Sequence, residues 1–456
     1  MSDLPTLASH YDDQMLHYHA LALLVCALIA GCERPMDDPS PAGLAGIEPI
    51  HLTESVAPLT GQSLSEFGRL IGDARMVALG ESRHDTKEQF EARASLSRTL
   101  IEQLGFRTLI LEESFSHCLA LDEFVTSGEG EIRSVLNELA GWYLWDTEEM
   151  VEFVNWVRLF NETLPRDQMV RIFGMDITAP ALGISRVVQV ADELDPAKGW
   201  ATREYGLDLH AGDRWPQTMR RYSSLSQEDA NTIAQNLDAL NVFTSDLMRT
   251  SIDSKSSGDS QLLAIQADIG KRGHAMFSAS GIAEIGAIRE EGMANVVEWI
   301  TNQRDQETRT IVWTHNLHAA KSSFQMPQMA EGDFFPVGVL LAEMFGEDYV
   351  AIGASFGTGH YSADLPPGER SFPRLGAETV DGATAELGRD RILLSFRNID
   401  ASSAVSRWLS PDREWRMQDA VAILSPGKSF DAIYYVDEIT RARPTPMALR
   451  KFRIAP

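Results

Sequence analysis

Glu81 and His84 stand three residues apart in VALGESRHDTKEQF (77–90), where an apolar run reaches a glycine and a helical pattern follows. Similar groups recur downstream. Glu112 and Glu113 close RTLILEE (107–113), Asp176 closes VRIFGMD (170–176), and His315 and His318 lie at and just past the end of RTIVWTH (309–315). Imidazole titrates near neutrality, so a histidine can take a proton from water at physiological pH. A carboxylate beside it fixes the tautomer and stabilises the imidazolium. Such a set could run general-base hydrolysis, and it could equally ligate one divalent metal such as zinc. H-x-x-H in HNLH is a weak metal signature alone, and the pattern H-E-x-x-H does not occur.

Two other nucleophiles compete. Gly353-Ala-Ser355-Phe-Gly357 matches the G-x-S-x-G of a serine hydrolase elbow. An elbow needs a helix directly after it, yet TGHYSADLPPGER follows, and the only later histidine is His360. Cys118, in the helix-like SHCLALDEF, reads as buried packing. Both are set aside.

The elements that must position these groups alternate between short β-rich runs and longer helical patterns. Strands are predicted at 75–80, 107–113, 170–176, 309–315, 348–356 and 430–438, with helices at 86–104, 147–164 and 185–194. This pattern implies βα units, hence an α/β fold with a central, mostly parallel sheet flanked by helices. The stretch 215–300 has helical spacing broken by the polar SIDSKSSGDS (251–260), and is read as a helical insertion or lid over the carboxyl ends of the strands. The acids and imidazoles then fall at the carboxyl ends of four strands, where open α/β sheets place ligands.

A net charge of -26 over 456 residues argues against a nucleic-acid partner, since a phosphate backbone would be repelled. The apolar segment LALLVCALIAGC (21–32) has the length of a signal-peptide core and is too short to span a bilayer. Its end, Ile29-Ala30-Gly31-Cys32, looks like a bacterial lipoprotein box, with lipid on Cys32 and the polar, Pro- and Gly-bearing 33–48 as a tether. The expected mature domain is 49–456, a monomer anchored to a bacterial cell envelope on the periplasmic or cell-surface side. Processing would leave Cys118 without a disulfide partner.

At its polar motifs the chain resembles the erythromycin esterase family. The motifs are Gly80-Glu81…His84, Arg93 nine residues on, Leu111-Glu112, Trp145-Asp-Thr147-Glu148-Glu149 and His315-Asn316-Leu-His318, with GMD (174–176) and FDAIYYVDEITRARP (430–444). IREEGMAN (288–295) resembles a further family segment, with Asn295 one residue early. The resemblance runs from Ile50 to the C-terminus. It implies an ester or lactone hydrolase, with macrolide lactones among the substrates, in which His84 activates water beside Glu81 and Glu112. Arg93, His315 and His318 would complete the site and steady the oxyanion. Arg289, Asp176, Asn316 and Trp145, the last a core residue by type, would line the substrate cleft. The resemblance also implies that no metal is needed. Two alternatives stay open: the same residues holding one divalent metal, and a non-catalytic binding protein of the envelope.

Overall fold

The short apolar runs of the sequence become the middle of a nine-stranded sheet. The computed structural model describes residues 43–452, apart from 54–55, 140–143, 213–214, 252–256, 306, 329–331 and 365–366. The expected signal segment, Cys32 and most of the tether therefore lie outside the described residues. Those described fall within one compact unit, Pro41–Pro456.

In chain order the strands are β1 (Ile50–His51), β2 (Met76–Leu79), β3 (Thr108–Ser114), β4 (Arg171–Asp176), β5 (Thr310–Trp313), β6 (Phe324–Gln325) and β7 (Asp333–Phe334). They continue with β8 (Tyr349–Asp364), β9 (Pro367–Phe372), β10 (Arg391–Ser395), β11 (Arg413–Met417), β12 (Ala420–Leu424) and β13 (Ala432–Ile439). The large sheet runs β1-β10-β13-β8-β2-β5-β3-β4, with β9 paired to β8. The six strands from β13 to β4 are parallel, while β10, β1 and β9 add antiparallel margins. A smaller sheet, β11-β12-β6-β7, stands apart.

Every residue of β2 and β5 is buried, which is why MVAL and TIVW show no polar alternation. Met76 and Ala78 face one apolar core, whereas Val77 and Leu79 face the other. Helix α1 (Lys87–Leu104) follows β2 and ends at Gly105, whose φ of 76° suits the left-handed cap. After β4 comes the helix Ala181–Leu194, and from Trp215 to Asn302 the chain then makes four more: α2 (Trp215–Ser223), α3 (Gln227–Ser251), α4 (Ser257–Ser278) and α5 (Ile282–Asn302). They form the expected helical insertion, and α5 packs along β4.

Two local features aim the site residues. In the pairing of β3 with β4, Leu111 matches Gly174 and Ser114 matches Asp176, so β3 carries one extra residue at Glu112–Glu113. Such a bulge bends the strand and re-aims side chains. At the end of β2, a Cβ on Gly80 would lie 2.3 Å from Asn316 Oδ1, so only glycine fits the close approach of these two strand ends.

Ser355 lies inside β8, which runs on unbroken to Asp364 and makes no elbow. Its hydroxyl donates to Asp381 Oδ1 at 2.7 Å and is fully buried. Cys118 is free and buried, its thiol pushed well up by burial.

Candidate active site

The segment after β2 is held at every backbone N–H from Gly80 to His84. Gly80 donates to Ile352 O (2.8 Å) and Glu81 to Thr314 O (3.0 Å). Ser82 and Arg83 both donate to Gln89 Oε1 (3.0 and 3.3 Å), and His84 donates to Gln418 Oε1 (3.1 Å). His84 thus sits in the turn ahead of α1, not on the helix. Nine residues later, Arg93 comes off the buried face of α1 one turn beyond Gln89 and pairs with Glu81 Oε2.

Glu81 is 3% exposed, and its other oxygen lies 2.7 Å from His84 Nδ1. This fixes the proton of neutral His84 on Nδ1 and leaves Nε2 as the basic lone pair. Nε2 has no hydrogen-bond partner among the described residues, and the side chain is 25% exposed. Burial alone would lower the His84 pKa. The hydrogen bond and charge of Glu81, with Glu112 adding, outweigh it and leave the pKa above 6.5.

His315 packs against His84 with ring centroids 4.8 Å apart. Its Nε2 donates to Ser82 O (3.1 Å), while its Nδ1 accepts from Leu317 N (3.1 Å). Burial first, then the nearby His84, push its pKa well below 6.5, so it stays neutral and tied to main chain. Glu112 Oε2 accepts from His315 N and Thr314 Oγ1, both at 2.8 Å. Its Oε1 meets Arg289 Nη2 at 3.0 Å and His318 Nε2 at 3.2 Å. Despite burial, His318, Arg289 and His84 together keep Glu112 ionised well below the usual carboxylate range.

Arg289, from α5, also holds Asp176 (Nη2 to Oδ2, 2.8 Å) and stacks 5.7 Å from the Trp215 ring. His318 Nδ1 donates to Glu290 Oε2 at 2.9 Å. Burial opposes the His318 charge, but Glu112 and Glu290 prevail and raise its pKa to about 10. The result is a continuous polar cluster: Glu81, His84, His315, Glu112, His318, Arg289 and Asp176.

Three expected site residues lie elsewhere than the cleft wall. Arg93 is 1% exposed, beneath Glu81, with its guanidinium 4.9 Å from the Trp313 ring and 5.9 Å from the Trp145 ring. It cannot reach a substrate oxyanion. Trp145 is 4% exposed and stacks on Trp313, so it shields the Arg93–Glu81 pair from below. Asn316 spends its amide on β8: Nδ2 donates to Ala354 O (2.8 Å) and Oδ1 accepts from Ala354 N (2.9 Å). It welds two strand ends rather than lining a pocket.

Sequence reasoning also missed contributors. Glu290, beside Arg289, is 2% exposed and accepts from Val337 N (2.8 Å) as well as from His318. Gln89 had a usable signal, since it lies one helical turn before Arg93. Among the described residues, no three His, Cys, Asp or Glu side chains come together as a metal-binding group. A cavity of about 280 Å³ between α3 and α4, lined in part by Asp238, Lys271 and His274, shares no residue with the cluster.

The erythromycin esterase family model matches residues 101–439, which contain Glu112, Asp176, Arg289, His315 and His318. Glu81, His84 and Arg93 lie N-terminal to that match and join the cluster through the contacts above. The chain is 25% identical over 364 residues to erythromycin esterase type II of Escherichia coli, covering 73% of this chain and 83% of that one. Its fold is similar to a crystal structure of a succinoglycan biosynthesis protein (TM-score 0.73, 17% identity, 91% of this chain and 100% of that chain). It is also similar to the erythromycin esterase EreC, a mutant in its open conformation (TM-score 0.69, 17% identity, 87% and 99%). The chain belongs to the erythromycin esterase family, hydrolases that act on ester bonds, lactones included.

Proposed function

We propose that this chain hydrolyses a carboxylic ester or lactone, macrolide rings among the candidates, with His84 as the general base. The observation that carries the reading is the Glu81–His84 pair: Nδ1 is engaged by a buried carboxylate, Nε2 has no hydrogen-bond partner among the described residues, and a quarter of the side chain is exposed. Nε2 takes a proton from water as the oxygen attacks the carbonyl carbon. The tetrahedral oxyanion is then met by Arg289, the more exposed cation of the cluster, while His318, buried between Glu112 and Glu290, shares Glu112 with it from behind. On collapse the carbon–oxygen ester bond breaks, and His84 returns the proton to the leaving alkoxide. His315, neutral and bound to main chain on both nitrogens, sets the position of the Ser82–His84 turn. Arg93 holds Glu81 from behind.

The bonding supports a metal-free route. His315 Nδ1 points its lone pair at a main-chain N–H, and both nitrogens of His318 are within reach of carboxylates. A screen of macrolides, simple lactones and aryl esters for a gain of one water, read by mass spectrometry, tests the reading. Turnover of at least one class is expected. If the unmodified protein turned over nothing in the panel, an envelope binding protein would be the better account.

We also propose that Cys32 carries lipid and tethers a monomeric enzyme to the cell envelope, on the strength of the lipoprotein-like box alone. No helix among the described residues is long and apolar enough to cross a membrane. The mass of the N-terminal peptide of the protein from its native host tests this. A diacylated Cys32 is expected, and an unmodified peptide extending through Leu21–Cys32 would overturn it.

A further inference from the structure

The turn that carries His84 is gripped from outside the sheet and outside α1 by the tip of the β11–β12 hairpin. Met417 pairs with Ala420, leaving Gln418 and Asp419 as a two-residue turn. Gln418 has φ 57°. In a turn where only the first central residue has positive φ, glycine is the ordinary occupant. Among the described residues only Asn398 and Gln418 adopt positive φ without being glycine. Asparagine tolerates that region through its short side chain, whereas glutamine gains nothing locally from it.

The residue at this strained position is used twice over, once through its main chain and once through its long side chain. Gln418 N donates to Ser82 O at 2.6 Å, and its Oε1 accepts from His84 N at 3.1 Å. Ser82 O is the same oxygen that receives His315 Nε2. The neighbouring Asp419 accepts from the buried Arg83 at 2.6 Å, and Arg83 is further held by Asp85 and stacked 4.8 Å from the Phe372 ring. Of the five N–H groups from Gly80 to His84, only that of His84 depends on a distant hairpin. The others are met by the strand ends and by α1.

We propose that Gln418 is a positioning residue for His84, fixing the main chain from which the imidazole reaches toward Glu81. The inference rests on the reading of His84 as the base, and extends the site to a hairpin that touches no reacting atom.

Two variants separate positioning from mere structure. Gln418→Gly suits the positive φ and keeps the main-chain N–H to Ser82 O, but removes the acceptor for His84 N. Gln418→Glu keeps an acceptor and adds a charge near a ring already acted on by Glu81, Glu112, His315 and His318. With p-nitrophenyl acetate as probe, Gln418→Gly should keep its Tm and KM while kcat falls roughly tenfold to a hundredfold. Gln418→Glu should recover most of kcat at alkaline pH, with the acid limb of the rate profile moved to higher pH. In parallel, the His84 ring proton, assigned by its loss in His84→Ala, should titrate at higher pH in Gln418→Glu than in the unmodified protein. Full kcat in Gln418→Gly, or a His84 titration unmoved in Gln418→Glu, would overturn the proposal. The titration reads independently of turnover. If His84→Ala still hydrolysed the probe, the general-base reading would fail on its own, and the NMR result would still decide whether Gln418 holds His84.

Discussion

As the proposed base His84 could take a proton from water only while unprotonated, and its neighbours make it hold a proton more firmly than solvent would. The pKa raised by Glu81 places the acid limb of kcat/KM above pH 6.5. Glu81→Gln removes the charge, so His84 should lose its proton at lower pH and the acid limb should move down. The same change leaves Arg93 buried without its carboxylate, so a stability loss of about 3–5 kcal/mol should accompany it, seen in denaturant titration. His318 makes the complementary case. Its pKa rises from 6.5 to about 10 on folding, so its stabilising contribution is full below the unfolded value and is lost as pH rises through about 10. His318→Gln should flatten the fall in Tm across that alkaline window. At this scale the sequence was readable where chemistry and position coincide: Glu81, His84, Glu112 and His315 are polar groups directly after apolar runs. Trp145 lies in the core as its type suggests, whereas Asn316, expected to line the cleft, turns to the main chain of β8, because an amide's type does not tell which way it faces. Gln418 was invisible because its contact spans 334 positions of sequence.

The elements explain why these side chains meet. The strand ends of β2 and β5 touch through Gly80 and Asn316, and the amide of Asn316 ties that pair to Ala354 in β8. Asn316→Ala orphans the buried Ala354 N–H, while Ala354 O keeps the indole N–H of Trp415 at 3.0 Å. A loss of about 1–3 kcal/mol is therefore expected, measurable as a lowered urea midpoint, with turnover impaired because the His84 turn shifts with β2. The six parallel strands were legible as apolar runs, since burial on both faces leaves no polar alternation to obscure them. The antiparallel pieces were not. β1, β6 and β7 are two residues each, too short for any period. The β11–β12 hairpin turns on Gln-Asp, which lacks the Asn-Gly or Asp-Gly signal of such turns. The bulge at Glu112–Glu113 leaves no mark in RTLILEE, because the extra residue is defined only by the strand beside it.

At the scale of the whole molecule, the sheet brings one half of the site from residues 81–93 and the other from 112–318, with the helical insertion delivering Arg289 over the edge. The insertion was recognised from helical spacing alone, but its reach onto Glu112 and Asp176 depends on how α5 packs along β4. A site built this way from carboxylate, imidazole and guanidinium should be indifferent to chelators. Incubation with excess EDTA, followed by an assay of ester hydrolysis, is expected to leave the rate unchanged, and restoration by zinc after loss would favour the metal reading. The most direct test of the account is water addition by His84→Ala. Unmodified protein and variant, matched in Tm, are incubated with the best ester or lactone substrate and followed by mass spectrometry for the gain of one water. The account predicts a fall in kcat of about 100- to 10,000-fold in the variant. Hydrolysis by His84→Ala at the rate of the unmodified protein would contradict it.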